Sequence, residues 1–290
     1  MKRILLLTNA YKDVDFEVSR AIVCRLLDKG AEIYAEGETL SALSSAGVRS
    51  LSDSSDELDL IIAVGGDGTV LSSADEAIRY GLPLLGVNMG RLGFLAELDV
   101  DHLDRLDGLF TGDYTITPRM TLEVTSEING SLTTERVFPL NDVVFSHERG
   151  DGLCELSLTD DDGNRIDYHA DGLILATPSG STAYSLSAGG PIIDDTVEAI
   201  CVTPVCPHSF FSRSLVFGRE TRLTVENCSL HRKEVVVSLD GCDALRLPVG
   251  GKLHVSRSSH PLLMLTFDRH ATLGTLNRKM QMAEMKYRKT

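Results

Sequence analysis

No apolar run in the 290 residues approaches the roughly 18 that a membrane-spanning helix needs. The start, "MKRILLLTNAY", carries the basic residues of an export signal. Its apolar segment, Ile4-Leu5-Leu6-Leu7, ends at Thr8-Asn9, too early for a signal peptide. It reads as a buried first strand, and a cytoplasmic protein without a membrane partner is expected. Paired cysteines are missing as well: Cys24, Cys154, Cys201, Cys206, Cys228 and Cys242 form no Cys-x-x-Cys and no histidine-rich spacing. Reduced, mostly buried thiols follow, with no metal ligands among the side chains. Positive charge is scarce, 28 Lys and Arg against 42 Asp and Glu, leaving a net charge of −14. That balance argues against nucleic acid and anionic membrane, which need a basic footprint. Small anions remain possible ligands, because amides, a few local bases and a divalent cation can hold them.

Three signatures are also absent. No Gly-x-x-x-x-Gly-Lys-Ser/Thr occurs, Gly66-Asp67-Gly68 lacks the third glycine of the dinucleotide fingerprint, and no Gly-x-Ser-x-Gly elbow exposes a serine nucleophile.

What is present divides in two. The first hundred residues alternate strand and helix: "RILLLTN", a helix capped by Asp13 or Asp15 and ending before Gly30, "AEIYAE", "LDLIIAV", a helix from near Thr69 to Gly81, and "PLLGVN". Asp99 or Asp101 opens a further helix through Leu109. This order predicts a doubly wound α/β domain over residues 1–112. From 113 to 268 the pattern becomes short alternating strands, with hairpin turns at Asn129-Gly130 and Asp162-Gly163, and predicts a β-rich, all-β domain. Residues 269–290 have the composition of a helical tail, free or docked on the first domain.

Three clusters carry chemistry. "AVGGDGTVL" places Gly65, Gly66, Asp67, Gly68 and Thr69 at a strand-to-helix corner. The N–H groups of Gly66 to Thr69 can converge on an anion, helped by the positive end of the helix and by glycines at φ > 0 that let a phosphate approach. A plain tight turn with Asp67 as helix cap explains the residues equally well. "TPSGSTAYS" follows the strand Leu173–Ala176 and offers hydroxyls, small residues and Tyr184, either as a ligand surface or as a structural turn. Asn141-Asp142 in "FPLNDVVFS" is a polar pair entering a buried strand. It is either a strand-entry turn or a contact in which Asn reads an adenine edge and Asp accepts from ribose hydroxyls.

Together, "GGDGT", the "ND" pair and "TPSGSTAYSLSAGGP" resemble the NAD kinases, and "NMGRLGFLAEL" at 88–98 matches that family's Asn-x-Gly-x-Leu-Gly-Phe-Leu segment. The glycine loop alone is shared with diacylglycerol and sphingosine kinases and, more loosely, with phosphofructokinases. The hydroxyl-rich block is the more specific. The resemblance spans roughly residues 3 to 268 and implies an α/β domain of the diacylglycerol-kinase and phosphofructokinase kind followed by a β-rich domain.

The resemblance implies an NAD⁺ kinase that uses ATP or another phosphoryl donor such as polyphosphate, with a divalent metal, Mg²⁺, carried mainly by the nucleotide phosphates. It implies a homodimer or homotetramer. Asp67 matches the family's essential aspartate, proposed as general base, with Gly68 beside the nucleotide. Asn141 and Asp142 match its Asn-Glu pair, Asp171 its Asp-Gly step, and Thr182, Ala183, Tyr184, Ser185, Leu186 and Ser187 the segment lining the NAD site. Three positions depart from the pattern. Asp142 is one methylene shorter than Glu, while Ser72 and His169, which the resemblance also places at the NAD site, stand where a basic residue is common. These departures keep a non-catalytic dinucleotide sensor in view, and the shared glycine loop keeps a lipid or small-polyol kinase. A carboxylate among glycines answers a need of phosphoryl transfer to a hydroxyl, where one proton must be taken while amides face phosphate.

Overall fold

The computed structural model describes residues 2–53, 57–90, 93–96, 98–133, 137–148, 152–208, 213–230, 234–267, 274 and 277. The helical tail expected over 269–290 lies outside them apart from the last two. The chain forms two compact units, one running to Pro118 and resuming at Leu262, the other Arg119–Pro261.

The first unit is built from β1 (Arg3–Thr8), α1 (Glu17–Asp28), β2 (Glu32–Ala35), α2 (Gly37–Leu43), β3 (Arg49–Ser50), β4 (Leu60–Gly65), α3 (Asp67–Tyr80), β5 (Leu84–Asn88), β6 (Leu98–Asp99), α4 (Gly108–Thr111) and β7 (Thr115–Arg119). Continuous apolar runs make β1, β4 and β5 strands buried on both faces, and all six residues of β4 are buried. Strands β3, β2, β1, β4 and β5 lie side by side in that order, the pairs among them parallel. The chain winds outward from β1 to β3 and then returns to the other side of β1, so the winding reverses between β1 and β4. In open α/β sheets ligands bind beyond the carboxyl ends of strands at such a point. The loops that leave β1 and β4 there begin at Asn9 and Gly66.

Asp13 serves the first helix as expected, its carboxylate accepting the amides of Val18 at 3.0 Å and Ser19 at 2.8 Å. Gly81, at φ 65°, ends α3. The helix expected from Asp99 or Asp101 through Leu109 differs. A 3₁₀ stretch, Val100–Asp107, kinked at His102, precedes the single turn of α4. The sequence explains it: Val100, Leu103, Leu106 and Leu109 recur every third residue and pack on one core, a spacing that eclipses side chains in a 3₁₀ turn.

The second unit is all β. It contains β8 (Leu122–Ile128), β9 (Ser131–Leu132), β10 (Asp142–Ser146), β11 (Cys154–Thr159), β12 (Arg165–Ala170), β13 (Gly172–Ala176), the turn α5 (Tyr184–Ser187), β14 (Ala199–Val205), β15 (Leu215–Gly218), β16 (Leu223–Asn227), β17 (Val235–Leu239), β18 (Cys242–Leu247) and β19 (Lys252–Arg257). They form two sheets, ordered β15-β14-β13-β10-β17-β18 and β12-β11-β16-β19-β8-β9. Phe145, Leu173 and Val202 from the first meet Leu156, Val225 and Leu253 from the second in one core, as facing sheets require. The other face of β10, β13 and β14 is covered too, with Val144, Ile174 and Cys201 packed against Ile193. That double burial is why "DVVFS" and "GLILA" read as unbroken apolar strands. Both expected hairpin turns form, with Asn129 and Gly130 at φ 53° and 76° and Gly163 at φ 81°. The chain then returns to the first unit, where β20 (Leu262–Thr266) pairs in parallel with β5 and lies between β5 and β7.

Candidate active site

On the first unit, β4 delivers the chain straight into the glycine corner and α3 begins at Asp67. The expected reason for the glycines is corrected by the backbone. Gly65, Gly66 and Gly68 are not among the positive-φ residues, and Gly66 sits at φ −134°, ψ −168°. Close approach is what requires Gly65, where a Cβ would strike the Thr69 side chain; at Gly66 a Cβ would meet only the tip of the Lys12 side chain, and at Gly68 it would meet open space. The expected cradle of four amides also narrows. The Thr69 N–H is turned onto the Gly66 carbonyl at 2.8 Å, and the Thr69 hydroxyl lies 3.4 Å from the Gly66 N–H. This leaves Asp67 and Gly68 as the first amides of α3, whose opening N–H groups have no acceptor within a helix.

The loop leaving β1 completes the corner. Asn9 donates its amide N–H to the Val64 carbonyl at 2.9 Å and its Nδ2 to Thr69 Oγ1 at 3.3 Å. Lys12 extends over Gly66, so a cation stands at the glycine corner although Ser72 lacks one. The Ser72 hydroxyl is bonded back to the Thr69 carbonyl at 3.0 Å.

Asp67 is not the cap of its own helix, whose N-cap is Gly66. Its carboxylate accepts three main-chain N–H groups from the segment after β5: Phe94 to Oδ2 at 2.7 Å, Leu95 to Oδ1 at 3.0 Å and Ala96 to Oδ1 at 3.1 Å. The backbone comes this near because residue 93 is glycine, whose missing Cβ would otherwise overlap the carboxylate. Each carboxylate oxygen offers two lone-pair directions. Among the described residues, Oδ1 is therefore filled by protein donors and Oδ2 keeps one direction open.

On the second unit, Asn141-Asp142 enters β10 with its main chain fixed on both sides. Asp240 carboxylate oxygens accept the N–H groups of Leu140, Asn141 and Asp142 at 2.8, 2.7 and 3.1 Å. The Asp240 N–H returns to the Asp142 carbonyl at 3.0 Å, and Thr177 N–H donates to the Asn141 carbonyl at 2.9 Å. The Thr177 hydroxyl donates to the Leu140 carbonyl at 2.5 Å. Among the described residues none hydrogen-bonds the side chain of Asn141 or Asp142. The plain strand-entry turn therefore accounts for the backbone and leaves both side chains uncommitted. Burial, with a smaller contribution from the Asp240 charge, pushes the Asp142 carboxyl up to about 7.

The hydroxyl-rich block divides into inward and outward residues. Ser181 accepts the Ile193 N–H at 2.9 Å and Ser185 bonds Thr203 at 3.0 Å, and both are fully buried. These hydroxyls hold the turn. Thr182 donates to the Ser179 carbonyl at 3.0 Å. Tyr184, at 48% exposure, and Leu186, at 38%, face solvent, as does Ser187, while Ala183 is half-buried. The helix expected through Leu186 is a 3₁₀ turn, Gly180–Thr182, and then α5. Asp171 follows β12, half-buried, 3.8 Å from His147 Nε2, and His169 is exposed on β12. Lys12, Asp240 and the amides of Phe94 to Ala96 were not singled out from the sequence. Asp240-Gly241 had a signal, an Asp-Gly pair at φ 50° and 83° between β17 and β18, the residues of a two-residue hairpin.

A glycine corner at a helix start, a carboxylate held beside it and a lysine above it define a phosphotransferase. Residues 4–114 match the family model of the ATP-NAD kinase N-terminal domain and residues 140–267 that of the ATP-NAD kinase C-terminal domain. The chain is similar to the NAD kinase of Caldanaerobacter subterraneus, 35% identical over 89% of this chain and 92% of the relative. It is also similar to that of Natranaerobius thermophilus, 35% identical over 97% and 98%. The crystal structure of yeast NADH kinase complexed with NADH shares the fold, with a TM-score of 0.84 at 23% identity over 97% of this chain and 88% of that one. So does an NAD kinase from Archaeoglobus fulgidus in complex with ATP, with a TM-score of 0.65 at 22% identity over 92% and 93%. The chain belongs to the NAD kinase family. No helix of the described residues is long and apolar enough to cross a membrane.

Proposed function

We propose that the chain transfers the terminal phosphoryl group of ATP, or of another donor such as polyphosphate, to the 2′-hydroxyl of the adenosine ribose of NAD⁺, giving NADP⁺. The observation that carries this reading is the Asp67 carboxylate, fixed by three amides with one Oδ2 lone-pair direction open. In that role Oδ2 accepts the hydroxyl proton as the ribose oxygen bonds to phosphorus and the donor's bridging oxygen leaves with its electron pair. Lys12 and the amides of Asp67 and Gly68 face the phosphates. Asn141, Asp142, Asp171, His169 and the exposed edge of Thr182–Ser187 meet the dinucleotide, as the family resemblance implies, with Tyr184 as a surface for a ring.

The relatives solved with NADH and with ATP support these two ligands. A divalent cation, Mg²⁺ by the chemistry of a nucleotide donor, would neutralise charge on the phosphates. No three His, Cys, Asp or Glu side chains of the described residues gather to cage a metal. That donor set fits an ion held mostly by phosphates and water, with Asp67 as the nearby carboxylate. Family resemblance further supports a cytoplasmic homodimer or homotetramer, which light scattering of the purified protein tests.

A coupled assay with NAD⁺, ATP and Mg²⁺ should yield NADP⁺, and chelation should stop it. Phosphorylation of a lipid or polyol with NAD⁺ left untouched would refute the assignment. In Asp67→Asn the fold should persist and turnover should drop on the order of 10²–10⁴-fold, the usual contribution of a general base. Raising Mg²⁺ should not restore it, whereas recovery with metal would make Asp67 a metal ligand instead.

A further inference from the structure

Asp142 is buried, at 4% exposure, and half-buried Asp240 is the charge acting on it, with desolvation raising both. Their surroundings differ. Asp240 accepts three main-chain N–H groups, each of which favours its anion. Asp142 accepts none from the described residues. Opposite it β13 places Ala176, which brings no charge; on the other side Leu239 of β17 registers with Val143 and the next residue, Asp240, is the charged group acting on it. Like charges this near, one of them buried, resist joint ionisation, so a single negative charge settles on the member with the donors.

We propose that Asp240 is a positioning residue of the dinucleotide pocket, which fixes the Asn141–Asp142 pair and makes Asp142 enter the site as a neutral acid that donates a hydrogen bond to the ligand. This rests on the reading that the pair meets NAD⁺ and reverses the role expected for Asp142, an acceptor from ribose hydroxyls. The chemistry suits the ligand. A dinucleotide brings two anionic phosphates, and a neutral acid adds no repulsion, whereas an ionised Asp142 would. The shorter aspartate in place of glutamate stays closer to its own strand and so to Asp240. The side chain titrates at about 7, so the neutral form is present at physiological pH and is lost above it.

Titration calorimetry of the full chain with NAD⁺ between pH 6 and pH 9 tests this. Wild-type Kd should rise with pH above about 7, approaching tenfold per unit where only the protonated form binds. Asp142→Asn, a permanently neutral donor of the same shape, should bind about as tightly as wild type at pH 6 and show no such rise. Asp240→Asn removes the charge and presents an amide to N–H groups that need an acceptor. It should weaken NAD⁺ binding at pH 7 by tenfold or more and erase or displace the transition near neutrality. A merely structural role would lower affinity equally at every pH. If Asp142→Asn instead loses tenfold or more in affinity at pH 6 and 7, the ionised acceptor is the working form and the proposal is overturned, while the pair's place in the site stands. If neither Asn141→Ala nor Asp142→Asn alters Kd at any pH, the pair is not at the dinucleotide and the underlying reading fails with it. Should Asp240→Asn not fold, the Asp142→Asn comparison still decides the protonation state, and an Asp240→Asn that folds with an unaltered pH profile refutes the positioning role.

Discussion

Lys12 is a single exposed residue in a loop of otherwise unremarkable sequence, "NAYKDV". Nothing about its type or spacing marked it, because its importance comes from topology: β1 and β4 are adjacent, so the loops beyond them converge on Gly66. Under the proposed function Lys12→Met should raise KM for the phosphoryl donor about tenfold, a loss of about 1.4 kcal/mol, with Kd for NAD⁺ unchanged. Steady-state kinetics with donor and acceptor varied separately would show it, and an equal effect on both substrates would remove Lys12 from the donor side. Asp142 gives a second expectation, in stability rather than binding. Its folded pKa, about 7, lies above the unfolded value of about 3.9. The native state therefore binds the extra proton between those values, and this contribution is complete below pH 4 and lost as pH rises through 7. Thermal melts of wild type should show a fall across that window which Asp142→Asn lacks. A parallel fall in both proteins would place the titrating group elsewhere. Asn141, Asp142 and Asp67 were legible in the sequence as residues because polar side chains beside buried strands demand partners. What surrounds them was not, since Asp240, which holds the main chain of the Asn141–Asp142 pair, lies about a hundred positions away.

At the scale of elements, the strands of the α/β unit and both hairpin turns follow directly from sequence, because double burial erases polar residues and Asn-Gly or Asp-Gly accepts positive φ. The short pieces do not. The turns α2, α4 and α5 are each seven residues or fewer, too short for a 3.6-residue period to separate from a three-residue one. The segment Gly93–Ala96 has no regular structure, yet three of its amides fix the Asp67 carboxylate. Leu95 and Ala96 are buried, and the Ala96 backbone closes on the glycine of β5 at 86, so the segment is anchored from behind while its amides point at the carboxylate. Gly93→Ala tests this anchoring, because the added Cβ would overlap Asp67 Oδ1. Turnover should fall on the order of a hundredfold or more, approaching the loss in Asp67→Asn, with the chain still folded by circular dichroism. Turnover within twofold of wild type would show that Asp67 does not need these three amides to act.

For the molecule as a whole, sequence rhythm predicted the two fold types but assigned "PLLMLT" to the run of β-rich strands, where periodicity alone would put it. A short apolar run buried on both faces fits either unit equally, and only pairing decides. Met264 of β20 registers against Leu84 of β5, and the strand lies between β5 and β7. The β unit is thus an insertion, Arg119–Pro261, into a sheet that closes after it. The residues named in the core between its two sheets, from Met120 to Val255, all lie within that insertion, so residues 119–261 expressed alone should fold and unfold cooperatively on heating. Residues 1–118 alone should not. Without β20, whose Leu262, Met264 and Leu265 are at most 2% exposed, the start of β5 around Leu84, beyond the reach of β6 at Val87 and Asn88, is left open and β7 loses its neighbour, and such an edge invites aggregation. Joining 1–118 directly to 262–290 through a short glycine-serine linker should restore a soluble, cooperatively melting unit. Size-exclusion chromatography and thermal circular dichroism on the three chains separate these outcomes. A monomeric, cooperatively folded 1–118 would mean that β20 decorates the sheet rather than completes it.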